Sequence, residues 1–467
     1  MISFLDVMRR IAIFVVVVAA ALLAGCQTTA DIPILESGDP SLDTGSVLWK
    51  GVDGHLYVAT AGESALTRVT RRPDTEPEIS YTAYAWAGDR VVYAAQEVDR
   101  AGEATAVLYS AVPGRNPRQL LSSGGAAPFF LYPSPDGSRV AYLGPREGQD
   151  GYVLDSIGIR GSGQLMHGTG RPFYSAWSPD STQLLTHVGL PFGSPGSFMR
   201  IQSVSGLMDG RPMAPPLDLE TGPFQAPAYA PDGSTIAVVL REDNANAIHL
   251  LTADGRRSLR LRDLEGWAAI AWSPNGDRLA YVDGRASMTG GIVGKLWVTN
   301  QRDGRVELIT EQAAGFFWSP DNSKLLYFEP YVVRMDKDTS VFLYRIGVYH
   351  TFDGRKDVLG SIRPTSEFVR QIMPFFDQYH RAYTIWSPDS RLVALNAVAE
   401  NGAPVVHLVD TELRRTGDAF SVTYRMPTQA GGRGGFFATP GVTSRILGLG
   451  TVPFFNSIEQ VRPGTVS

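Results

Sequence analysis

Few of the residues that can do chemistry stand at the spacings that chemistry requires. The seven histidines occur singly, with no H-x-H or H-E-x-x-H sequence, so each is predicted to be a surface or packing residue. No serine stands in a G-x-S-x-G sequence, and no Walker-type or G-x-G-x-x-G loop opens a predicted helix. Neither a metal nor another cofactor is therefore predicted. The histidines are His55, His167, His187, His249, His350, His380 and His407.

One short acidic sequence has to be considered as a cation site. Asp336 and Asp338 flank Lys337, and carboxylates of this kind can ligate calcium. The surrounding residues lack the spacing of an EF-hand loop, so a solvated turn is the better interpretation.

Three other segments carry side chains that protein interfaces favour. Residues 189–200 are rich in Gly and Pro, residues 329–341 mix aromatic and charged side chains, and residues 366–383 are aromatic and contain His380. Aromatic residues, Met and Arg are enriched in the parts of interfaces that contribute most to binding. The candidate partner-binding residues are Phe192, Tyr331, Arg334, Phe368, Met373, Phe375, Phe376 and Tyr379.

Composition limits the class of protein. The chain has 467 residues, of which 43% are hydrophobic and 19% charged, a balance typical of a globular protein. The formal net charge of −5 argues against a broad electrostatic grip on nucleic acid or acidic lipid. The 49 glycines and 31 prolines fit many strands joined by many turns.

A short motif recurs along most of the chain. Its copies start 46, 45, 52, 43, 46 and 68 residues apart, and a period of 40 to 50 residues is typical of propellers and solenoids. The copies are WAGDRVVYA from Trp86, YPSPDGSRVAY from Tyr132, WSPDSTQLLTH from Trp177, YAPDGSTIAVV from Tyr229, WSPNGDRLAYV from Trp272, WSPDNSKLLYF from Trp318 and WSPDSRLVAL from Trp386.

Each copy predicts a hairpin between two strands. The aromatic residue ends an inner strand and packs between neighbouring units, and Ser-Pro-Asp-Gly makes the turn. Alternating apolar residues such as Leu279 and Tyr281 then form the second strand. A second hairpin signature, such as KLWVTNQRDGRVELIT, lies between successive copies. One period therefore holds four strands, which is one propeller blade.

These W-S-P-D-G-x-x-[IL]-A-[YF] copies resemble the PD40, or TolB-like, WD40-related β-propeller repeat over roughly residues 48–450. The resemblance implies an all-β fold and a role in envelope assemblies through protein contacts. The chain lacks the α/β domain that precedes the propeller in TolB.

The count of second hairpins favours eight blades, with seven as the alternative. The first such hairpin lies at residues 48–70, ahead of the first aromatic motif, and residues 435–450 resemble a decayed inner hairpin. Pairing these terminal segments would close the ring and leave no sheet edge exposed. The predicted propeller domain spans residues 48–452, followed by a tail at residues 453–467.

The N-terminus predicts export and a lipid anchor. Arg9 and Arg10 precede an apolar run of 13 residues, which is too short to cross a bilayer comfortably and fits a signal peptide over residues 1–25. The sequence L-A-G-C ending at Cys26 resembles the lipobox of bacterial lipoproteins, and this resemblance implies a diacylated Cys26. Residues 26–47 form a flexible polar tether.

The resemblance to lipoproteins also bears on location. Gln27 follows the cysteine, where an Asp would be associated with inner-membrane retention, so Gln27 permits the outer membrane facing the periplasm. In a cell with one membrane, the protein would be held at the outer surface. Cys26 is the only cysteine, so no internal disulfide is possible.

Two classes of function remain open. In a propeller of this topology, the turns within both hairpins emerge on one face and the longer connections on the other, which favours the long-loop face for function. The leading hypothesis is a binding or scaffold protein with an envelope protein as its partner. The alternative is an enzyme of hydrolase or lyase type, or a binder of carbohydrate or small molecules, that uses the central funnel. The three candidate segments could instead fold down and fill that channel.

Overall fold

Strands dominate the part of the chain that a computed structural model describes. The described residues are 46–50, 54–60, 67–70, 78–146, 152–170, 173–189, 197–204, 214–222, 225–256, 258–287, 291–335, 337, 340–366, 368–382, 385–398, 404–412 and 421–425. Cys26, Phe192, Asp336, Asp338, the predicted closing hairpin at residues 435–450 and the tail lie outside these ranges. No helix among the described residues is long and apolar enough to span a bilayer.

The described strands form eight antiparallel sheets, each with its strands in chain order. The first sheet contains β1 (Ser46–Lys50), β2 (Leu56–Thr60) and β3 (Thr67–Arg68). The second contains β4 (Glu78–Ala87), β5 (Arg90–Val98), β6 (Ala104–Ala111) and β7 (Arg118–Gly124). The third contains β8 (Phe130–Pro133), β9 (Arg139–Pro145), β10 (Tyr152–Gly158) and β11 (Leu165–Gly170). The fourth contains β12 (Phe173–Trp177), β13 (Gln183–Val188) and β14 (Phe198–Ser203).

The remaining four sheets follow the same plan. The fifth contains β15 (Ala228–Tyr229), β16 (Thr235–Glu242), β17 (Ala245–Thr252) and β18 (Ser258–Asp263). The sixth contains β19 (Trp267–Trp272), β20 (Arg278–Ala286), β21 (Ile292–Asn300) and β22 (Val306–Ala313). The seventh contains β23 (Gly315–Trp318), β24 (Lys324–Arg334), β25 (Ser340–His350) and β26 (Lys356–Ile362). The eighth contains β27 (Leu392–Val398), β28 (Pro404–Asp410) and β29 (Ser421–Arg425).

Three of these sheets have three named strands, for different reasons. In the fourth sheet the backbone N–H of Leu217 donates to the Met199 carbonyl at 2.8 Å, so an irregular segment takes the place of a fourth strand. In the eighth sheet a single bridge between Trp386 and Val393 stands where a first strand would be. In the first sheet, the residues 48–70 that the sequence predicted as one hairpin contribute to three strands, β1, β2 and β3.

The sheets pack as blades of a β-propeller, as predicted. The first strands of the second and third sheets contact each other, and the same holds from the fourth to the sixth sheet. The apolar face of each sheet is buried against its neighbours, and the core runs from Leu48 in the first sheet to Val409 in the eighth. Because ring closure would involve residues outside the described ranges, the number of blades stays a prediction.

The Ser-Pro-Asp turns are held by one repeated set of hydrogen bonds. In the fourth sheet the Ser178 hydroxyl donates to the Asp180 carboxylate at 2.5 Å and accepts from the Gln183 backbone N–H at 2.9 Å. The Thr182 backbone N–H donates to the same carboxylate at 3.0 Å, and these hydrogen bonds hold the pKa of Asp180 below its usual value. The same pattern recurs in the turns that begin at Ser134, Ser273, Ser319 and Ser387.

Four motif tryptophans tie their blade to the one before it, whereas the indole N–H of Trp86 is buried without a partner among the described residues. The indole N–H of Trp177 donates to the Tyr132 carbonyl at 2.9 Å, and that of Trp272 donates to the Ala228 carbonyl at 2.9 Å. Trp318 and Trp386 make the equivalent hydrogen bonds to Ala271 at 3.2 Å and Phe317 at 3.1 Å. Every acceptor stands two residues before the first turn residue of the preceding sheet. The aromatic residue is therefore both a packing element and a hydrogen-bond donor between sheets.

A second tie between blades uses the glycine position of the turn. Ser181, Asn322 and Ser390 occupy this position with φ of 62°, 65° and 60°. Each side-chain oxygen accepts a hydrogen bond from a backbone N–H in the preceding turn, with donors Asp136, Asn275 and Asp321 at 3.0, 2.6 and 3.0 Å. This hydrogen bond offsets the cost of the left-handed backbone, which is about 1 kcal/mol for a residue with a Cβ.

Replacing one motif tryptophan tests the indole tie. We expect Trp177→Phe to lower the free energy of unfolding by about 2–3 kcal/mol, because it leaves the buried Tyr132 carbonyl unpaired and opens a cavity. Trp297→Phe is the matched control, since Trp297 is only partly buried and holds no motif position. Chemical denaturation measures both variants, and equal losses would contradict a special role for the motif indole.

Two substitutions at Ser390 test the tie at the glycine position. Ser390→Ala keeps the unfavourable φ and loses the hydrogen bond, so we expect a loss of about 1 kcal/mol. Ser390→Gly also loses the hydrogen bond but relieves the backbone strain, and its free energy of unfolding should stay close to that of the unsubstituted chain. A glycine variant as unstable as the alanine variant would disprove this explanation.

Candidate functional site

The segment between the seventh and eighth sheets lies inside the ring of blades. It contains one turn of π-helix (Phe368–Ile372), one turn of 3₁₀-helix (Met373–Phe375) and helix α1 (Phe376–Ala382). We call residues 363–366 and 368–382 the insertion. Helix α1 contacts the first strands β8, β12, β19 and β23 of four sheets. Since first strands line the axis of a propeller, α1 occupies the inside of the ring.

Polar side chains of α1 pair with backbone groups on the inner edges of the sheets. The Gln378 amide accepts from the Ser175 N–H at 2.8 Å and donates to the Ser175 carbonyl at 2.9 Å. The Asp377 carboxylate accepts from the Ala226 N–H at 2.9 Å. A first strand has a neighbouring strand on one side only, so the insertion supplies hydrogen bonds that its other edge would otherwise lack.

Aromatic contacts fill the space around the insertion. Phe376 packs edge-on against Phe316 at 5.0 Å between ring centroids, and Tyr379 packs edge-on against Phe130 at 5.3 Å. A Cβ at Gly315 would lie 2.8 Å from the terminal methyl carbon of Met373 and 3.0 Å from the Phe376 ring, so the close approach of the insertion to β23 favours glycine there.

The insertion residues predicted to meet a partner are mostly interior. Phe368, Met373, Phe376 and Tyr379 are 0%, 3%, 2% and 1% exposed, so an exposed partner surface cannot be formed by these four side chains in this arrangement. Phe375 is partly exposed and lies near Tyr174, with ring centroids 6.2 Å apart. The insertion adopts the filled-channel arrangement that the sequence left open, because its aromatic side chains pack on the inner strands.

The other two described candidates lie on a long hairpin of the seventh sheet. Strands β24 and β25 pair from Lys324 with His350 out to Arg334 with Ser340. The flanking strands β23 and β26 end earlier, at Phe328 and Tyr344 of this hairpin, so residues 331–335 and 340–343 project as a two-stranded ribbon. We call residues 331–335 and 340–343 the ribbon.

The ribbon exposes apolar side chains beside a cation. Val332 and Met335 are 62% and 66% exposed, and Arg334 is exposed. Tyr331 is partly buried, since its hydroxyl donates to the Ser361 hydroxyl at 2.7 Å and the Arg345 guanidinium lies over its ring. Phe342 pairs with Val332 across the ribbon and packs on Tyr344, which packs on Phe368 of the insertion. The ribbon and the insertion are therefore in continuous contact.

Burial perturbs the ionisable groups of α1. Burial raises the pKa of the Asp377 carboxyl to about 6, although hydrogen bonds from the Ala226 and Gln378 backbone N–H groups oppose the shift. Burial also lowers the pKa of His380 to about 3, so its imidazole is neutral at physiological pH. None of these groups was recognisable from its sequence spacing.

Within the described ranges, no group of three or more His, Cys, Asp or Glu side chains is arranged to hold a metal ion. Two of the buried histidines have hydrogen-bonded roles in the sheets instead. His167 contacts the Ser156 hydroxyl at 2.8 Å, and His187 contacts the Gln225 carbonyl at 3.1 Å.

Known proteins resemble this chain in structure only distantly. No family model and no curated protein matches the chain. Among solved structures, TolB from Acinetobacter baumannii is 14% identical, with 72% of this chain and 77% of that chain covered and a TM-score of 0.36. An oligogalacturonate lyase from Vibrio parahaemolyticus is 11% identical, with coverage of 76% and 90% and a TM-score of 0.41. An oligogalacturonate lyase in complex with manganese is 14% identical, with coverage of 79% and 98% and a TM-score of 0.44. Likenesses this weak carry no argument about activity.

The pH dependence of stability tests the burial of Asp377. Its carboxyl loses its proton near pH 4 when unfolded but near pH 6 when folded, so stability falls as pH rises through this window, by about 3 kcal/mol. Asp377→Asn should remove this decline. The control Asp180→Asn should change the pH dependence of stability in the opposite direction. The lowered pKa of Asp180 contributes stability that is lost as pH falls, so this substitution should reduce the loss of stability at low pH. Thermal unfolding at a series of pH values measures both, and an unchanged profile for Asp377→Asn would contradict the buried position.

Proposed function

We propose that this chain is a membrane-tethered, extracytoplasmic scaffold protein that binds a protein partner on the long-loop face of its propeller. The observation that carries the proposal is that α1 lies inside the ring against the first strands of four sheets, while the ribbon projects beyond the flanking strands of the seventh sheet. An occupied axis favours function at the surface over function in a funnel. The ribbon then offers the contact surface that the interior insertion does not.

The composition of the ribbon indicates what kind of partner surface would fit. Val332 and Met335 are exposed apolar groups, and Phe342 is partly exposed beside them. Arg334 adds a cation, and its guanidinium donates a hydrogen bond to the Lys337 carbonyl at 2.7 Å. Apolar groups around an arginine match a partner that offers an apolar patch next to a carboxylate.

The competing function requires the insertion to leave the ring. An enzyme or a carbohydrate binder acting in the funnel would need this space for its substrate. Departure of α1 would unpair the Ser175 and Ala226 backbone groups and expose Phe376 and Tyr379. The combined cost of these losses supports the scaffold proposal.

The proposed function includes a lipid tether at the N-terminal end of the propeller. Acylation of Cys26 would hold the propeller near a membrane, with residues 26–47 as a flexible polar spacer. Gln27 supports an outer-membrane position facing the periplasm in a double-membraned cell. The partner would accordingly be a protein of the cell envelope.

Cross-linking in whole cells with the anchor intact tests the function. A photo-reactive amino acid at position 333 should capture one stoichiometric partner in the membrane fraction, identified by mass spectrometry. The double substitution Val332→Glu and Met335→Glu should reduce capture by about tenfold or more, because it places charge at the apolar centre of the contact.

The matched control for this experiment is Phe352→Glu. Phe352 is fully exposed but lies in the short turn between β25 and β26, on the opposite face. Its substitution should leave capture unchanged. Equal capture by the double variant would rule out the ribbon as the binding surface, and loss of capture by the control alone would move the surface to the other face.

A further inference from the structure

The end of the channel nearest the Ser-Pro-Asp turns holds a cluster of hydrogen-bond donors. Helix α1 runs with its C-terminal residues toward the last residues of the inner strands. The Arg381 guanidinium donates to the Tyr229 carbonyl at 2.7 Å, and the Trp318 backbone N–H donates to Nε2 of His380 at 3.2 Å. Both Tyr229 and Trp318 are the last residues of their strands before the turn.

The hydrogen bond from Trp318 fixes the tautomer of His380. Because Nε2 accepts from a backbone N–H, the proton of the neutral ring must lie on Nδ1. The ring is held in place by stacking on Phe317, with centroids 5.9 Å apart and planes at 17°. Nδ1 is buried, and it has no hydrogen-bond partner among the described residues. It is therefore an N–H donor without an acceptor.

The neighbouring groups are donors too. The Tyr229 side chain is 2% exposed, and its hydroxyl is buried with no partner in the described part of the chain. The Tyr132 hydroxyl is engaged with the Arg381 guanidinium, whose pKa is lowered by burial. The Tyr132 and Tyr229 hydroxyls act electrostatically on Arg381, and among the described residues no carboxylate forms an ion pair with it.

A partly buried guanidinium without a carboxylate is costly unless an anion compensates it. We propose that Arg381, His380 and Tyr229 form a binding site for one small anion, either a halide or the carboxylate of a small acid. The anion accepts from the Arg381 guanidinium, from Nδ1–H of His380 and from the Tyr229 hydroxyl. His380 and Arg381 are only partly buried as residues, whereas Nδ1 of His380 and the Tyr229 hydroxyl are themselves buried, so the proposed site is largely shielded from solvent.

One acidic group faces this cluster from a neighbouring blade. Asp180 acts on Tyr229 and raises the pKa of its hydroxyl, together with burial as the larger cause. Its carboxylate is already engaged by Ser178 and Thr182 in its own turn and does not reach Arg381 as an ion-pair partner. The negative charge of Asp180 opposes any anion beside Tyr229 and opposes a dianion more strongly than a monoanion.

The test uses the full-length protein in detergent, with bromide as the probe. Thermal unfolding is measured at increasing concentrations of sodium bromide. The ionic strength is kept constant by lowering the concentration of sodium HEPES, whose anion is too large for the proposed site. We expect the Tm of the unsubstituted chain to rise with the logarithm of the bromide concentration. Arg381→Gln should weaken the apparent bromide affinity by about tenfold or more, and Tyr229→Phe should weaken it by a smaller factor.

Arg278→Gln is the matched control, because Arg278 also donates to a backbone carbonyl on the turn side, that of Thr351 at 3.1 Å. Its bromide response should equal that of the unsubstituted chain. Anomalous diffraction from bromide-soaked crystals should place a peak beside Arg381. Displacement of that peak by acetate assigns a carboxylate as ligand, and its persistence assigns a halide. Equal bromide responses in all variants, or peaks only elsewhere, would overturn the site.

Discussion

A backbone N–H or carbonyl on the inner edge of a propeller sheet has no next strand to pair with, because each first strand is hydrogen-bonded on one side only. Buried backbone groups need partners, so the inside of the ring must hold either water or protein. Here the insertion supplies hydrogen bonds to Ser175, Tyr229 and Trp318, which belong to three different sheets, and to Ala226, which lies just before β15. The position of α1 follows from this pairing as much as from its aromatic packing.

The ties between blades act on the same inner strands. The motif indoles reach carbonyls of the preceding sheet, and Ser181, Asn322 and Ser390 reach backbone N–H groups of the preceding turn. These bonds fix the rotation of each sheet relative to its neighbour, so the inner edges present their free groups in a defined arc. A helix as short as α1 can then meet several sheets at once.

Much of the fold could be predicted from local sequence signals. The proline, Asp and Gly preferences of turns and the alternation of apolar residues placed most hairpins, because both signals act within a few residues. The role of Trp177 between sheets was predictable for the same reason. The left-handed Ser390 was not, since its compensating donor, Asp321, lies 69 residues away.

The sequence left the interior position of the insertion as one of two alternatives, and there is a physical reason why it could not choose between them. Aromatic residues such as Phe368, Phe376 and Tyr379 are expected both in an exposed interface and in a segment packed inside the channel, so their types do not distinguish the two. The deciding contacts are distant in sequence, since Gln378 pairs with Ser175 across 203 residues. The donor cluster at Arg381 is likewise assembled from separate blades, and only Tyr132 and Tyr229 carried a motif signal.

The same distances bear on folding. Loop-closure entropy disfavours early contacts over such separations, so we expect α1 to dock on the inner strands late in folding. Before docking, the inner edges of the sheets would have unpaired backbone groups, which are sites for pairing with other chains. Docking of this short helix would therefore close edges at which the folding chain can aggregate.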